Sequence, residues 1–417
     1  MAPFTPFAAL AALASVAVAQ TCSGVNQRFQ PRMGSGYKVS LLATGLQQPR
    51  HIVVDTAGNL LVAEGNSGTV QRLVLQEQGD IVCVASKSAV TTDRSTNHGI
   101  SLSADGKTLF TSNLASVTAY NYDATTGKAT DGKVIVTGMS NTGTHPTRAI
   151  LVSKSDPDTI VVARGSNGNI DTSTTQTSSG RSMIRTFSIS EGLTSVHQYT
   201  TGGELLGWGL RNIVGMGEDP LGGIWSVENS MDDVKLNGKD VHNENPAEKL
   251  NYHGILKEGA SNKLKGANFG YPSCVPAWDT DLLGVANIKV GDLFKPDGTP
   301  AASDCASRQT GTVHFHSHTA PLDVKFNKNG TAAYIAFHGS WNRRPADGYR
   351  VMRVDFQDGK PVEPPTSKTA AIPVMENPST SSCPGSCFRP VGLDFDAKGR
   401  LFVSSDSTGE VYVVYGA

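Results

Sequence analysis

Charge is the first thing this chain lacks. Lys and Arg number 36 against 37 Asp and Glu, a formal net charge of −1, and charged residues make up only 18% of the 417. Nucleic acids and anionic membranes are bound through a sustained positive field, so neither is expected as a partner. Aromatics are sparse at 7%. Beyond the N-terminus no apolar run approaches the roughly 20 residues that a bilayer span needs. Glycine, in contrast, is abundant at 44. That balance suits many short strands joined by tight turns better than a helix bundle.

Residues 4–19 (FTPFAALAALASVAVA) are almost wholly apolar and end in Ala17-Val18-Ala19. A basic n-region is missing, but the apolar run and the small-residue triplet mark residues 1–19 as a secretory leader. A secreted protein is therefore expected. The six cysteines fit an oxidising compartment. Six allow fifteen pairings; Cys22 with Cys83, Cys274 with Cys305 and Cys383 with Cys387 is the set expected here. Zinc is a poor use for Cys383-Pro-Gly-Ser-Cys387, since no second pair lies at ligand spacing. Asn329-Gly330-Thr331 is a glycosylation sequon placed in a turn.

A weak unit recurs six times, at Gln48–Glu64, Asn97–Asn113, Pro146–Arg164, Leu210–Glu228, Ala320–His338 and Arg389–Asp406. Each copy is an alternating apolar run, a tight Asp/Asn/Gly turn and a second alternating run, which is the pattern of a β-hairpin. Regular recurrence of one such unit predicts a propeller, here all-β with six four-stranded blades forming one domain over 20–417. The stretch 232–318 breaks the rhythm and reads as one long insertion over a propeller face. The C-terminal strand GEVYVVYGA is expected to share a blade with the N-terminus and close the ring.

The blade entries carry Arg50, His98, Arg148, Arg211-Asn212, Ala320-Pro321 and Arg389, within about three positions of one another when the turns are superposed. Blade entries share one end of the axis, so four arginines and a histidine are expected there. Such cations repel one another unless an anion joins them, and arginine's planar fork suits carboxylates. A polycarboxylate on the axis is the inference, with the arginines' pairing to nearby acids as the alternative. Among fixed cations His98 would be held neutral, as a proton acceptor must be. The segment Val227–Val234 (VENSMDDV) is rich in the oxygens that calcium takes. His338, Trp341, Asn342 and Arg343 lie together at a strand exit, where Trp341 would make a stacking wall for an aromatic ligand.

HGSWNRRPADGYRVMRVDF, GLRNIVG with the following WSVENSMDD, NHGISLSADG and HSHTAPLDVKF together resemble the glucose/sorbosone dehydrogenase group. The resemblance runs from about Leu42 to Tyr415 and is nearest to its secreted fungal pyranose dehydrogenases. It implies a six-bladed quinoprotein using pyrroloquinoline quinone (PQQ) and Ca²⁺. By that resemblance His98 takes the proton from the sugar's anomeric hydroxyl while hydride passes to the quinone, giving the lactone. Arg211 and Asn212 would contact the cofactor. Asn229, Ser230, Met231 and Asp233 would lie in the calcium turn. The chain departs from the bacterial members in having Val214 at the place of a cofactor-contacting Gln, and in a shorter calcium turn. An external acceptor (a cytochrome, a copper oxygenase or a quinone) would take the electrons. Two other functions fit a propeller: a calcium-dependent lactonase or esterase, and a non-catalytic binding module. The axial arginines speak against both.

Overall fold

Each of the six repeats folds as the inner hairpin of a blade, and its turn explains its sequence. In the first, Asp55 accepts hydrogen bonds through Oδ1 from the backbone N–H of Ala57 and Asn59. Gly58 takes the positive φ, 80°, that closes the turn. Ser103, Ser153, Asp219, Asn327 and Asp396 stand at the same place in the other copies, each with its backbone N–H or side chain tying the turn. The structure is a computed structural model describing Cys22, Val25 and residues 28–140, 143–301 and 304–417. The leader expected at 1–19 lies outside the described residues.

Blade one is Pro49–Val54, Leu60–Glu64, Val70–Gln78 and Ile81–Ala89; blade two is Ile100–Leu102, Thr108–Ser112, Val117–Asp123 and Lys128–Thr137. Blade three is Ile150–Val152, Thr159–Arg164, Met183–Ser188 and Glu204–Trp208, and blade four Asn212–Glu218, Gly223–Asn229, Glu248–Ile255 and Val313–Phe315. Blade five is Pro321–Phe326, Ala332–Phe337, Arg350–Gln357 and Ala371–Glu376. Blade six takes Pro390–Phe395, Leu401–Ser405 and Glu410–Tyr415 from the C-terminus and Lys38–Ala43 from the N-terminus, antiparallel with Lys38 opposite Tyr415. The expected ring closure is therefore present.

Second strands are buried along their whole length, as in Leu60–Glu64 and Ala332–Phe337, because a blade lies against each of their faces. Outer strands such as Ile81–Ala89 are largely exposed. Apolar clusters fill the spaces between successive blades. Leu61, Val70, Ile100 and Leu109 join blades one and two, and Ile52, Leu60, Phe402 and Val413 join six and one. On the axis Val214, Leu322 and Val391, from the first strands of blades four, five and six, form a small apolar plug. The three disulfides are the expected ones.

One expectation needs correction. The stretch 232–318 is not a single insertion, because its Glu248–Ile255 is the third strand of blade four, paired with Gly223–Asn229. Two loops remain, 230–247 and 256–312, and they fold against each other. Met231, Val234 and Val241 of the first pack with Tyr271, Val275 and Phe294 of the second. The sequence pattern hid this strand because its buried residues include Lys249, Asn251 and His253. A further loop, 165–182 in blade three, holds two 3₁₀ turns, Thr172–Thr175 and Thr177–Ser179. It joins the same assembly where Tyr271 Oη accepts from Asp171 N–H at 2.8 Å. Among the described residues no helix is long and apolar enough to cross a membrane.

Candidate functional site

These loops and the entries of blades three, four and five surround a cavity of about 440 Å³, lined among others by His145, Asn169, Arg211, Asn212, Asp232 and Trp341. Its organising group is Asp232. Oδ2 accepts from Arg211 at 2.7 Å, and Oδ1 accepts from Asn342 Nδ2 at 3.1 Å and lies 3.4 Å from His318 Nδ1. Asn169 braces it from both sides, Oδ1 accepting from Asp232 N–H and Nδ2 donating to Asp232 O. Burial alone would raise the Asp232 pKa, but His318 and Arg211 outweigh it and hold the carboxylate ionised. His318 moves the opposite way. Burial opposes its charge, yet Asp232 and the field of Glu248 raise its pKa. Glu248 is fully buried, and burial lifts its carboxyl to about 7 although Ser230 N–H donates to it at 2.6 Å.

Nearer the axis lies a second cluster. Arg50 reaches Asp406 at 2.6 Å, and Asp406 also receives His338 Nε2 at 2.8 Å. Arg50 Nε donates to His98 Nδ1 at 3.3 Å, while His98 Nε2 lies 2.7 Å from the carbonyl oxygen of Val214. A carbonyl can only accept, so Nε2 carries the proton and Nδ1 holds the lone pair. Burial first, then the Arg50 cation, keep the His98 pKa well below the ordinary 6.5. The ring stacks on His51, 5.7 Å away with planes 8° apart. Beyond it, His51 and Lys325 flank the buried Asp323 at 3.3 and 2.7 Å.

The structure separates the residues expected at one site. Arg211, Asn212, Asn229, Ser230, Asp233, Trp341 and Asn342 line the cavity. Arg50, His98 and His338 form the axial cluster instead. Arg148 gives its guanidinium to the carbonyls of His145 and Thr147. Arg389 donates to the carbonyls of His338 and Gly339. Arg343 binds Asn243 O and the Glu244 carboxylate. The Met231 side chain packs in the apolar cluster between the loops.

The expected ring of unpaired arginines is thus corrected. Arg50 and Arg211 each hold a carboxylate, and Arg148 and Arg389 are spent on carbonyls. Only the last repeat carried part of the signal, for it ends in Asp406, the partner of Arg50; the partner of Arg211, Asp232, ends no repeat. Sequence reasoning also passed over Asp232, Glu248, His145 and His318. Asp232 and His318 stand inside segments already singled out, but nothing local separates them from their neighbours.

Several groups at the cavity have no protein partner. The amide oxygens of Asn212 and Asn342 are buried and unpaired, and Trp341 is 63% exposed. Buried acceptors without partners cost stability, so ligand atoms are expected to meet them. Trp341 offers an aromatic face, and Arg211 and His318 offer positive charge to an anion. On the other side Asn229, Ser230, Asp232, Asp233 and Glu248 form an oxygen-rich edge, the donor chemistry calcium takes. Among the described residues no three His, Cys, Asp or Glu side chains are grouped to hold a metal. A cation there would draw on amide, backbone and ligand oxygens as well. The residues fit both an anionic aromatic cofactor and a hard cation.

A six-bladed propeller with a polar cavity at the blade entries defines the class of protein. The TrAA12-like family model matches residues 31–417, and the chain belongs to that family. It is 42% identical over 410 residues to a pyrroloquinoline quinone-dependent sugar dehydrogenase of Hypocrea jecorina (strain QM6a), an alignment covering 95% of this chain and 92% of the relative. Identity to a pyrroloquinoline quinone-dependent pyranose dehydrogenase of Coprinopsis cinerea is 37% over 418 aligned residues, covering 94% of this chain but only 56% of that protein. Among solved structures, a calcium structure of the Trichoderma reesei Carbohydrate-Active Enzymes Family AA12 protein superposes with a TM-score of 0.89 at 40% identity, covering 95% of this chain and 99% of the other. The holo form of the pyranose dehydrogenase PQQ domain from Coprinopsis cinerea gives 0.87 at 36%, covering 94% and 98%.

Proposed function

We propose that this protein is a secreted PQQ- and Ca²⁺-dependent dehydrogenase that oxidises a pyranose at C1 to the lactone and yields the electrons to an external acceptor. The observation that carries this reading is the cavity itself. It joins an exposed Trp341 face, the Arg211 and His318 cations and an oxygen-rich edge, in a chain 42% identical to a PQQ-dependent sugar dehydrogenase. When bound, PQQ supplies the chemistry of an o-quinone, able to take a hydride equivalent from the sugar.

The chain's own residues would hold the reactants and move the proton. Arg211, Asn212, Asn342 and Trp341 bind and orient the cofactor, and the oxygens of Asn229, Ser230 and Asp233 face the calcium. His98 is the base. Its Nε2 proton is fixed on Val214 O, so Nδ1 is the atom that accepts. Burial and the neighbouring cation keep the ring neutral, and so ready to take a proton. Arg50 shares that lone pair at 3.3 Å and must yield as the proton arrives. Its charge then disfavours the imidazolium and promotes release of the proton. Asn212 and Val214 lie two residues apart on one strand, which links the cavity to the base.

A hydrolase using calcium-bound water would want free carboxylates, whereas Asp232 is committed to Arg211, Asn342 and His318. The test is a PQQ titration of the purified protein with Ca²⁺ present, followed by tryptophan fluorescence and by dye reduction with a panel of pyranoses. Saturable quenching with sugar-dependent reduction is expected. Absence of PQQ binding in calcium-loaded protein overturns the reading.

A further inference from the structure

The two histidines near the site differ in what they leave free. Both ring nitrogens of His98 are engaged, by Val214 O and by Arg50 Nε. His145 is engaged at one nitrogen, and Ser166 decides which tautomer it adopts. The Ser166 hydroxyl donates to Gly168 O at 2.7 Å, so its oxygen is left to accept. His145 Nδ1 lies 3.0 Å from that oxygen and 2.9 Å from the Ser166 carbonyl. Two acceptors facing one nitrogen require that Nδ1 carry the proton. Nε2 is then a bare lone pair, and the side chain lines the cavity.

The surroundings keep it so. Burial, then the Arg211 cation, lower the His145 pKa to about 4, and the ring is neutral at any ordinary pH. Gly165 sets its neighbour: a Cβ there would meet Asn212 Oδ1 at 2.7 Å and His145 Cβ at 3.0 Å. The missing side chain lets the Asn212 amide oxygen and the base of the His145 side chain lie against the same stretch of backbone, and both residues line the cavity. That oxygen and His145 Nε2 are both acceptors. A tricarboxylate o-quinone presents mostly acceptors, so it can meet Asn212 through the amide Nδ2 but leaves the His145 lone pair unsatisfied. A sugar carries a donor on nearly every ring carbon.

We propose that His145 binds substrate, its Nε2 accepting a hydrogen bond from a ring hydroxyl of the sugar other than the one oxidised. The proposal rests on the dehydrogenase reading above and adds a determinant of which pyranose is accepted. The experiment compares wild type, His145→Ala and His145→Gln, each loaded with PQQ and CaCl₂, on the preferred pyranose and its monodeoxy analogues. For His145→Ala the expected result is a fall of about tenfold in kcat/KM, carried by KM, the size of one lost hydrogen bond. His145→Gln, which keeps an acceptor, recovers part of it, and the PQQ quenching curve is unchanged. One deoxy sugar loses about tenfold on wild type and nothing further on His145→Ala. That deoxy series on wild type needs no variant to fold. A drop in PQQ affinity with His145→Ala, or the same wild-type-to-variant ratio for every deoxy sugar, overturns the proposal. Loaded wild type that reduces dye with none of the pyranoses overturns the dehydrogenase reading itself.

Discussion

The axial cluster and the cavity are built from similar residues and end in opposite conditions. Around the axis Arg50, His98, His338 and Asp406 satisfy one another, and Asp323 is flanked by His51 and Lys325. At the cavity Asn212 and Asn342 keep unpaired oxygens, His145 keeps a lone pair, and Trp341 stands exposed. The first region is complete as protein and sets protonation and position. The second is incomplete until something binds. Counting charges does not separate them, since each has arginine, histidine and aspartate. Counting unpaired atoms does.

Three perturbations test that division. The largest effect is expected from His98→Ala. In the loaded enzyme kcat should fall roughly a hundred- to ten-thousandfold, the usual contribution of a general base, with PQQ quenching retained. Stopped-flow dye reduction measures the first and fluorescence the second. Turnover near that of wild type would remove His98 from the chemistry and leave the axial cluster purely structural.

Next comes Asp323→Asn, which leaves the Lys325 ammonium without its buried partner and should lower stability at pH 7 by about 3–5 kcal/mol. Burial pushes the Asp323 pKa up, but Lys325 and His51 overcome it and depress the value to about 2 from the ordinary 3.8. A depressed carboxyl contributes its full stabilisation above the unfolded value and loses it as pH falls through the folded one. Calorimetric melts of wild type and variant should therefore differ widely at pH 7 and converge between about pH 3.8 and 2. A gap that persists at pH 2 would show that shape, not charge, is what Asp323 supplies.

The smallest effect on the fold is expected from Trp341→Ala. The residue is mostly exposed, so stability should stay within about 0.5 kcal/mol of wild type. PQQ affinity should weaken about tenfold as the stacking face is lost. A large drop in melting temperature would place Trp341 with the packed region instead.

Particular residues show where local pattern suffices. The hairpin at Gln48–Glu64 was legible because alternation and an Asp-Thr-Ala-Gly turn fix strand, turn and strand within one short span. The pairing of Cys383 with Cys387 was legible from spacing, since they lie only 4 residues apart. The strand Glu248–Ile255 was not, since the polar residues it buries find partners outside the strand that local pattern does not reveal. Lys249 meets Glu228 at 2.9 Å, and Asn251 Nδ2 donates to the same carboxylate at 3.0 Å. A residue counted as polar in the sequence is interior once its partner is known.

The amino-acid sequence alone determined the repeating hairpin, the number of blades, the closure of the ring and the end of the axis that carries arginine, histidine and asparagine. The hairpin follows from alternation and turn chemistry, which act over a few residues, and the blade count, the closure and the shared end follow from how often and where that unit recurs. Tertiary structure alone decided which of those side chains is available to a ligand. Arg50 meets Asp406 across 356 residues of chain, and His98 meets Val214 across 116. Availability is set by whether a partner lies within about 3 Å, and only the closed ring brings such partners together.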